Sequence, residues 1–336
     1  MDEAVLARGE RTTERVRPAL SWLREHGGAG EPPVALLRDY LTRVLPRSGL
    51  GDDREQHEVA WALGDLFEQA GAPAQAAVCR SAAVHETLAV ARWVQSFADV
   101  PPQFWEPAMT ALGGSRDVPP RAALSLSSAH ALLDLVGDGL TLTPAGQLPT
   151  EAVRRLDDRF RWTEEFPWMR VTQEADVAPL RLLRAHLVAQ RLLVEQGSRL
   201  SRSDAGVACT HDTARLWWAV VDPSPRWTQE FERDALGVLA ASVLRSADFT
   251  LGRIAGEMTH VLAARWRAVS PSHRGSVFDG ASAVAQGWYQ LGVPLGWWDT
   301  GRGPADRLPN AFGRAAAVTV FRSVAGVRAP AAGPRG

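Results

Sequence analysis

Amphipathic stretches alternate with proline- and glycine-rich breaks along the first third of the chain, and the pattern predicts helices. Ala4 to Leu23 carries spaced apolar residues and Trp22, and ends before Gly27-Gly28. Val34 to Leu45 follows Pro32-Pro33 and stops at Pro46. From Glu55 to Ala70, Val59, Leu63, Leu66 and Phe67 make the i, i+3, i+4 stripe of an amphipathic helix, closed by Gly71. Pro73 suits a first helical turn and opens a helix to about Trp93. Within this region Leu63, Gly64, Phe67, Gly71, Ala76 and Ala83 are spaced as in one tetratricopeptide-type helix pair, with Arg80 in place of an aromatic. No second copy follows and a lone repeat cannot bury its own face, so an ordinary helical hairpin is expected. Trp22, Trp61 and Trp93 fall at apolar positions and read as core.

Pro101, Pro102, Pro107 and Gly113-Gly114 interrupt residues 98–118, which predicts a linker with at most one short helix. Beyond it the chain repeats itself. At an offset of 60, residues 119–156 align with 179–216 without a gap, and 12 of the 38 positions are identical. They include Pro119/Pro179, Arg121/Arg181, Leu132/Leu192, Gly137/Gly197, Leu140/Leu200 and Gly146/Gly206; Thr143/Ser203 is conservative. About three or four identities would arise by chance, so the repeat is structural. Each copy reads as a helix from its proline, a glycine turn between short alternating segments (LLDLVGDGLTLT, LLVEQGSRLSRS), and a second helix capped at Thr150 or Thr210. A third, looser copy spans 253–324, with a helix from Ser276 to Leu291, a hairpin from Gly296 to Leu308, and a closing turn at Ala311-Phe312-Gly313-Arg314 before a last helix through Phe321.

Helix, hairpin, helix is the rear part of a winged-helix unit. The stretches LLDLVGDGLTLTPAGQLPTEAVRRL, ARLWWAVV and LPNAFGRAAAVTVFRS resemble winged-helix repeat proteins of unknown function from GC-rich bacteria, over roughly 119–324. The resemblance rests on glycine turns and leucine spacing, so it implies a fold and carries over no catalytic residue. The expected fold class is mainly α: an N-terminal helical domain followed by tandem winged-helix-like units with short β-hairpins. The expected division is 1–97 (helical domain), 98–118 (linker), 119–178, 179–250 and 251–325 (three winged-helix-like units) and 326–336 (disordered tail).

Composition changes this picture in two ways. All 37 basic residues are Arg, which excludes a Schiff-base lysine, a lysine general base and a P-loop lysine. The formal charge of −1 also conceals a division: residues 251–336 hold ten Arg against four acids, whereas the first 250 hold 27 against 34. If any part approaches a polyanion by charge alone, it is the last quarter. Cys79 and Cys209 have no CxxC partner and read as buried, inert thiols. The charged start and the absence of a long apolar run predict a cytoplasmic protein that does not enter a membrane.

Candidate chemistry is sparse. Glu257-Met-Thr-His260 puts two potential metal ligands on one helix face, but a di-iron bundle needs a second such motif, so a structural histidine is expected. His57-Glu58, His85-Glu86 and His211-Asp212 do not extend to HExxH and suit a solvated face or a cap. There is no GxSxG, GxGxxG or Gln-x-Gln, the last being the motif of certain tandem winged-helix DNA glycosylases. No catalytic residue, metal site or cofactor is therefore expected. In winged helices that bind DNA, the helix before the hairpin enters the major groove and the wing touches phosphates. On that scheme Arg181, Arg184 and Arg191 would share a helix face, Arg199 and Arg202 would lie on the second hairpin, and Arg302 and Arg307 on the third. The first copy is poorer, with Ser125, Ser127, Ser128 and His130 on its helix and Asp138 at the wing tip. The leading expectation is a non-enzymatic DNA-binding or regulatory protein with double-stranded DNA as partner. The alternative is a protein–protein interaction scaffold, with a protein partner or a second copy of the chain docking near Trp217-Trp218 or Trp297-Trp298. A nucleic-acid-processing enzyme comes third.

Overall fold

The structure is a computed structural model that describes residues 3–28, 30–48, 53–97, 99–113, 117–164, 168–221, 230–246, 250–266, 274–299 and 308–324. The expected tail and the tip of the third hairpin lie outside these residues. The described chain is mainly helical, with five short strands, and divides into two compact units.

The first unit is built from α1 (Glu3–Gly27), α2 (Val34–Asp39), α3 (Asp53–Gln69), α4 (Pro73–Cys79) and α5 (Ala82–Gln95). Its core takes Val16, Leu23, Leu37, Leu63, Val78 and Leu88 from all of them, with Leu41 from the turn after α2. The helix predicted for Val34 to Leu45 loosens after Asp39 into a π-turn over Tyr40–Val44 and a 3-10 turn at Leu45–Arg47. The helix predicted from Pro73 to Trp93 is two helices. The chain breaks at Arg80-Ser81, where the Ser81 hydroxyl accepts the Val84 amide at 3.4 Å and caps α5. Arg80 turns back to Asp65 and Glu68 on α3, both at 2.6 Å. Gly64 lets α4 come close, since a Cβ there would sit 3.3 Å from Cys79 and Arg80. The helical hairpin of α3 and α4 is as expected; of the three tryptophans, Trp93 is buried, Trp22 is half-buried, and Trp61 is 48% exposed rather than core.

The segment expected to be a linker contains α6 (Pro102–Leu112), which buries Phe104, Trp105, Ala108 and Leu112. Pro102 opens the helix, where its missing N–H costs nothing, and Pro107 removes one bond of the ladder. Trp105 stacks 6.3 Å from Phe321.

The second unit continues with α7 (Ala122–Ser125), α8 (Ser127–Val136), β1 (Leu140–Thr141), α9 (Thr150–Phe160), α10 (Ala178–Ala189), β2 (Leu193–Gln196), β3 (Arg199–Arg202), α11 (Asp204–Thr210) and α12 (Thr213–Val221). It ends with α13 (Glu230–Arg245), α14 (Leu251–Arg265), α15 (Arg274–Gly292), β4 (Trp298–Asp299), β5 (Leu308–Pro309) and α16 (Ala311–Val324). Helix α13 is buried on all sides from Asp234 to Val243 and packs against α14, α15 and α16. Its Asp234 is wholly buried, held by Arg265 Nε at 3.2 Å and Trp266 Nε1 at 3.0 Å.

The second and third copies form the predicted hairpins. β2 and β3 pair from Leu193↔Arg202 to Gln196↔Arg199 around Gly197 (φ 60), and β4 pairs with β5. The first copy does not. Residues 133–136, which correspond to β2, stay helical in α8, and its lone strand β1 joins the second hairpin in the order β1-β3-β2. Leu140 pairs antiparallel with Leu200, the same position of the two copies, and Thr141 with Arg199. The segment equivalent to α11 is a turn in the first copy, held by the Thr143 hydroxyl accepting Gln147 N at 3.1 Å.

Candidate nucleic-acid interface

The second and third copies share a set of bonds at the junction from helix to hairpin to helix. At the end of α10, Arg191 N donates to Val188 O and Leu192 N to Leu187 O, both at 2.9 Å, which closes the helix by a left-handed turn. After α15, Gly296 N donates to Val293 O at 3.2 Å and Trp297 N to Gly292 O at 2.9 Å. The left-handed residue is Arg191 (φ 56) in one copy and Gly296 (φ 61) in the other. At the far side of the hairpins, Ser203 N bonds Leu192 O at 3.1 Å and Asn310 N bonds Trp297 O at 3.0 Å. Ser203 Oγ then accepts Gly206 N at 3.0 Å, and Asn310 Oδ1 accepts Gly313 N at 3.1 Å. Both glycines are required by contact: a Cβ on Gly206 would stand 2.2 Å from Leu192 O, and one on Gly313 2.5 Å from Trp297 O. The third copy therefore has the local architecture of the second. Asn310, the sole asparagine of the chain, is the cap of its last helix, so α16 begins at Ala311 where a turn was expected.

The arginine stripe expected on α10 does not form. The helix stops at Ala189, so Arg191 lies beyond it in the left-handed turn, with its side chain exposed. Arg181 is exposed in the first turn. Arg184 is drawn inward with 14% of its side chain exposed: Nε donates to Glu174 at 2.8 Å, and Nη1 to Glu195 at 2.9 Å and to Gly146 O at 3.1 Å. Glu174 is 1% exposed and also accepts Leu148 N at 2.9 Å, so this pair ties α10 to the turn of the first copy. On β3, Arg199 is exposed and donates to Asp138 O at 3.1 Å. Arg202 is 19% exposed and reaches Asp138 Oδ1 at 3.2 Å. Asp138, expected at a wing tip, thus lies in a turn of a copy that forms no hairpin and faces the second hairpin's arginines. Arg302 and Arg307 lie outside the described residues.

Elsewhere the polar candidates take structural roles. Ser125 and Ser128 are buried and donate to Leu295 O and Pro294 O, both at 2.5 Å, which turns that face of the first copy toward the third. His130 is half-buried, and desolvation lowers its pKa against the opposing effect of Asp134. Glu257 pairs with Arg245, and His260 is exposed; no metal-binding cluster occurs among the described residues. Asp212 Oδ1 accepts Arg215 N at 3.0 Å, the cap foreseen for one His-acid pair. Instead of facing solvent, His85 stacks between His57 and Trp61, at 5.0 and 5.2 Å; burial, then His57, lower its pKa. Cys79 and Cys209 are buried, and burial pushes the Cys79 thiol to about 12. Trp217, Trp297 and Trp298 are core residues, and only Trp218 of the two pairs is half-buried, so these tryptophans form no docking patch. In the first unit, Leu20, Leu23, Phe67 and Ala72 line a cavity of about 310 Å³, with Arg24 and Glu31 its charged groups.

The partners Glu174, Glu195 and Asp138 escaped the sequence reading because each lies in a different element from the arginine it binds. No protein-family model matches this chain, and no curated protein or solved structure matches it.

Proposed function

We propose that this chain is a non-enzymatic regulatory protein whose helix–hairpin–helix copies are winged-helix-like, the second of them contacting double-stranded DNA. One observation carries the reading. Arg181, Arg191 and Arg199 stand exposed on a helix, the turn after it and the hairpin, and make no ion pair among the described residues. Guanidinium groups so distributed suit phosphates and the base edges of a major groove. Arg184 and Arg202, engaged with carboxylates, belong to the support of the site.

The test is a titration on duplex DNA at several salt concentrations. Binding should weaken linearly on a log–log plot, and Arg181→Ala and Arg199→Ala should each lower the slope by roughly 0.9 if each meets one phosphate. No binding at low salt, or a slope unchanged in the double variant, overturns the reading. A scaffold that binds protein is the second reading, favoured by the mixed charge at the hairpin, where exposed Glu195 pairs with Arg184 and exposed Asp138 accepts from Arg199 and Arg202. A co-purifying protein lost on Glu195→Arg, together with absent DNA binding, would select it.

A further inference from the structure

The cavity of the first unit has an apolar base and two opposite charges at its mouth. Leu23, Phe67 and Ala72 are buried at the base, Leu20 and Pro32 are half-buried in its walls, and Arg24, Glu31 and Ala70 stand exposed. Local structure holds each wall. Leu20, Leu23 and Arg24 fall at i, i+3 and i+4 of α1, so they share one helix face. Helix α3 closes in a left-handed turn at Gly71 (φ 75), where Ala72 N donates to Phe67 O at 2.8 Å and Gly71 N to Glu68 O at 3.1 Å. The last wall is fixed by buried Gln75, whose Nε2 donates to Pro32 O at 3.1 Å.

Size and charge together limit what fits. A volume of about 310 Å³ is near the lower end for small-molecule sites, which run from roughly 300 to 1,000 Å³. A dry void of about 150 Å³ already takes a benzene ring, so this cavity has room for one apolar side chain and the charged groups attached to it. The Arg24 guanidinium and the Glu31 carboxylate line the same cavity, and neither has a hydrogen-bond or ion-pair partner among the described residues. A ligand carrying only a negative charge would meet Glu31 unfavourably, and one carrying only a positive charge would meet Arg24 in the same way. A neutral ligand would take water from both groups and return nothing. A zwitterion satisfies both.

We propose that this cavity binds a free α-amino acid with an apolar side chain, its carboxylate on Arg24, its ammonium on Glu31 and its side chain against Leu23, Phe67 and Ala72. A guanidinium can hold a carboxylate through two parallel bonds, and the Glu31 carboxylate accepts from the ammonium. The apolar base then contributes roughly fourfold in affinity for each methylene buried. This site lies in the first unit and does not rest on the duplex contact proposed for the second copy.

The experiment is isothermal titration calorimetry of the full chain with L-leucine at low salt. Leucine should bind saturably. L-alanine, with three carbons fewer, should bind at least tenfold more weakly. So should 4-methylpentanoate, which lacks the ammonium, and 3-methylbutylamine, which lacks the carboxylate. Arg24→Gln and Glu31→Gln should each weaken leucine binding about tenfold, as expected for losing a hydrogen bond to a charged group, with no change in unfolding midpoint. The decisive readout is crossed: Glu31→Gln should not weaken 4-methylpentanoate further, and Arg24→Gln should not weaken 3-methylbutylamine further. Absent leucine binding, equal affinity for either singly charged analogue, or unchanged leucine affinity in either variant overturns the proposal. Arg181→Ala with Arg199→Ala should leave leucine binding intact, so failure of the duplex reading and failure of this one are told apart.

Discussion

Replacing Arg191 by glycine should make the protein more stable while removing a cation. Arg191 holds φ at 56°, a region where an L-residue's Cβ crowds the following carbonyl. The equivalent turn of the third copy uses Gly296 at φ 61° with the same pair of closing bonds. Relief of the left-handed strain is worth about 1–2 kcal/mol. Glycine's greater freedom in the unfolded chain offsets about 0.5–1 kcal/mol. The net gain therefore lies between about 0 and 1.5 kcal/mol, or up to roughly 6 °C in the unfolding midpoint of a unit this size. Urea and thermal unfolding of wild type, Arg191→Gly and Arg191→Ala would measure it. Alanine removes the charge but keeps the Cβ, so it should give no gain. An alanine variant as stable as the glycine one, or a glycine variant less stable than wild type, refutes the argument that the turn conformation dominates.

Arg184→Ala should destabilise the second unit by about 3–5 kcal/mol in urea unfolding, because it leaves the buried Glu174 carboxylate without its cation. Glu195→Ala, which removes the exposed partner of the same arginine, should cost less than about 1 kcal/mol. Burial raises Tyr40 from 10.0 to about 12, so the folded state holds this proton more tightly than the unfolded state does. The resulting stability is complete below pH 10 and is lost as pH rises toward 12. Tyr40→Phe should accordingly move the alkaline unfolding midpoint upward, and an unchanged midpoint would exclude this tyrosine as a cause.

The pattern of helices and the internal repeat were legible in the sequence because glycine turns and leucine spacing are local signals. The second and third hairpins followed from them. The first copy misled for a physical reason. Its LLDLVGDG segment is an apolar run compatible with helix or strand, and its strand found a partner 60 residues away instead of within its own copy. One short helix was allowed within 98–118, but proline density hid its length and burial, since Pro102 at a helix start and Pro107 inside it give the same composition as a linker. The candidate interface was legible as residue types but not as availability. Nothing in the spacing of Arg181, Arg184 and Arg191 distinguishes the guanidinium that is drawn into the fold from the two left outside it.

The antiparallel meeting of Leu140 with Leu200 bears on how such a chain can be cut. Each copy supplies the strand that shields the other's edge, so a fragment beginning after the first copy would present the bare side of β3. Because the pairing joins the same position of both copies, a shorter chain carrying a single copy could close it with its own twin. The chain between the two copies holds this pairing at an effective concentration that no separate partner strand could match.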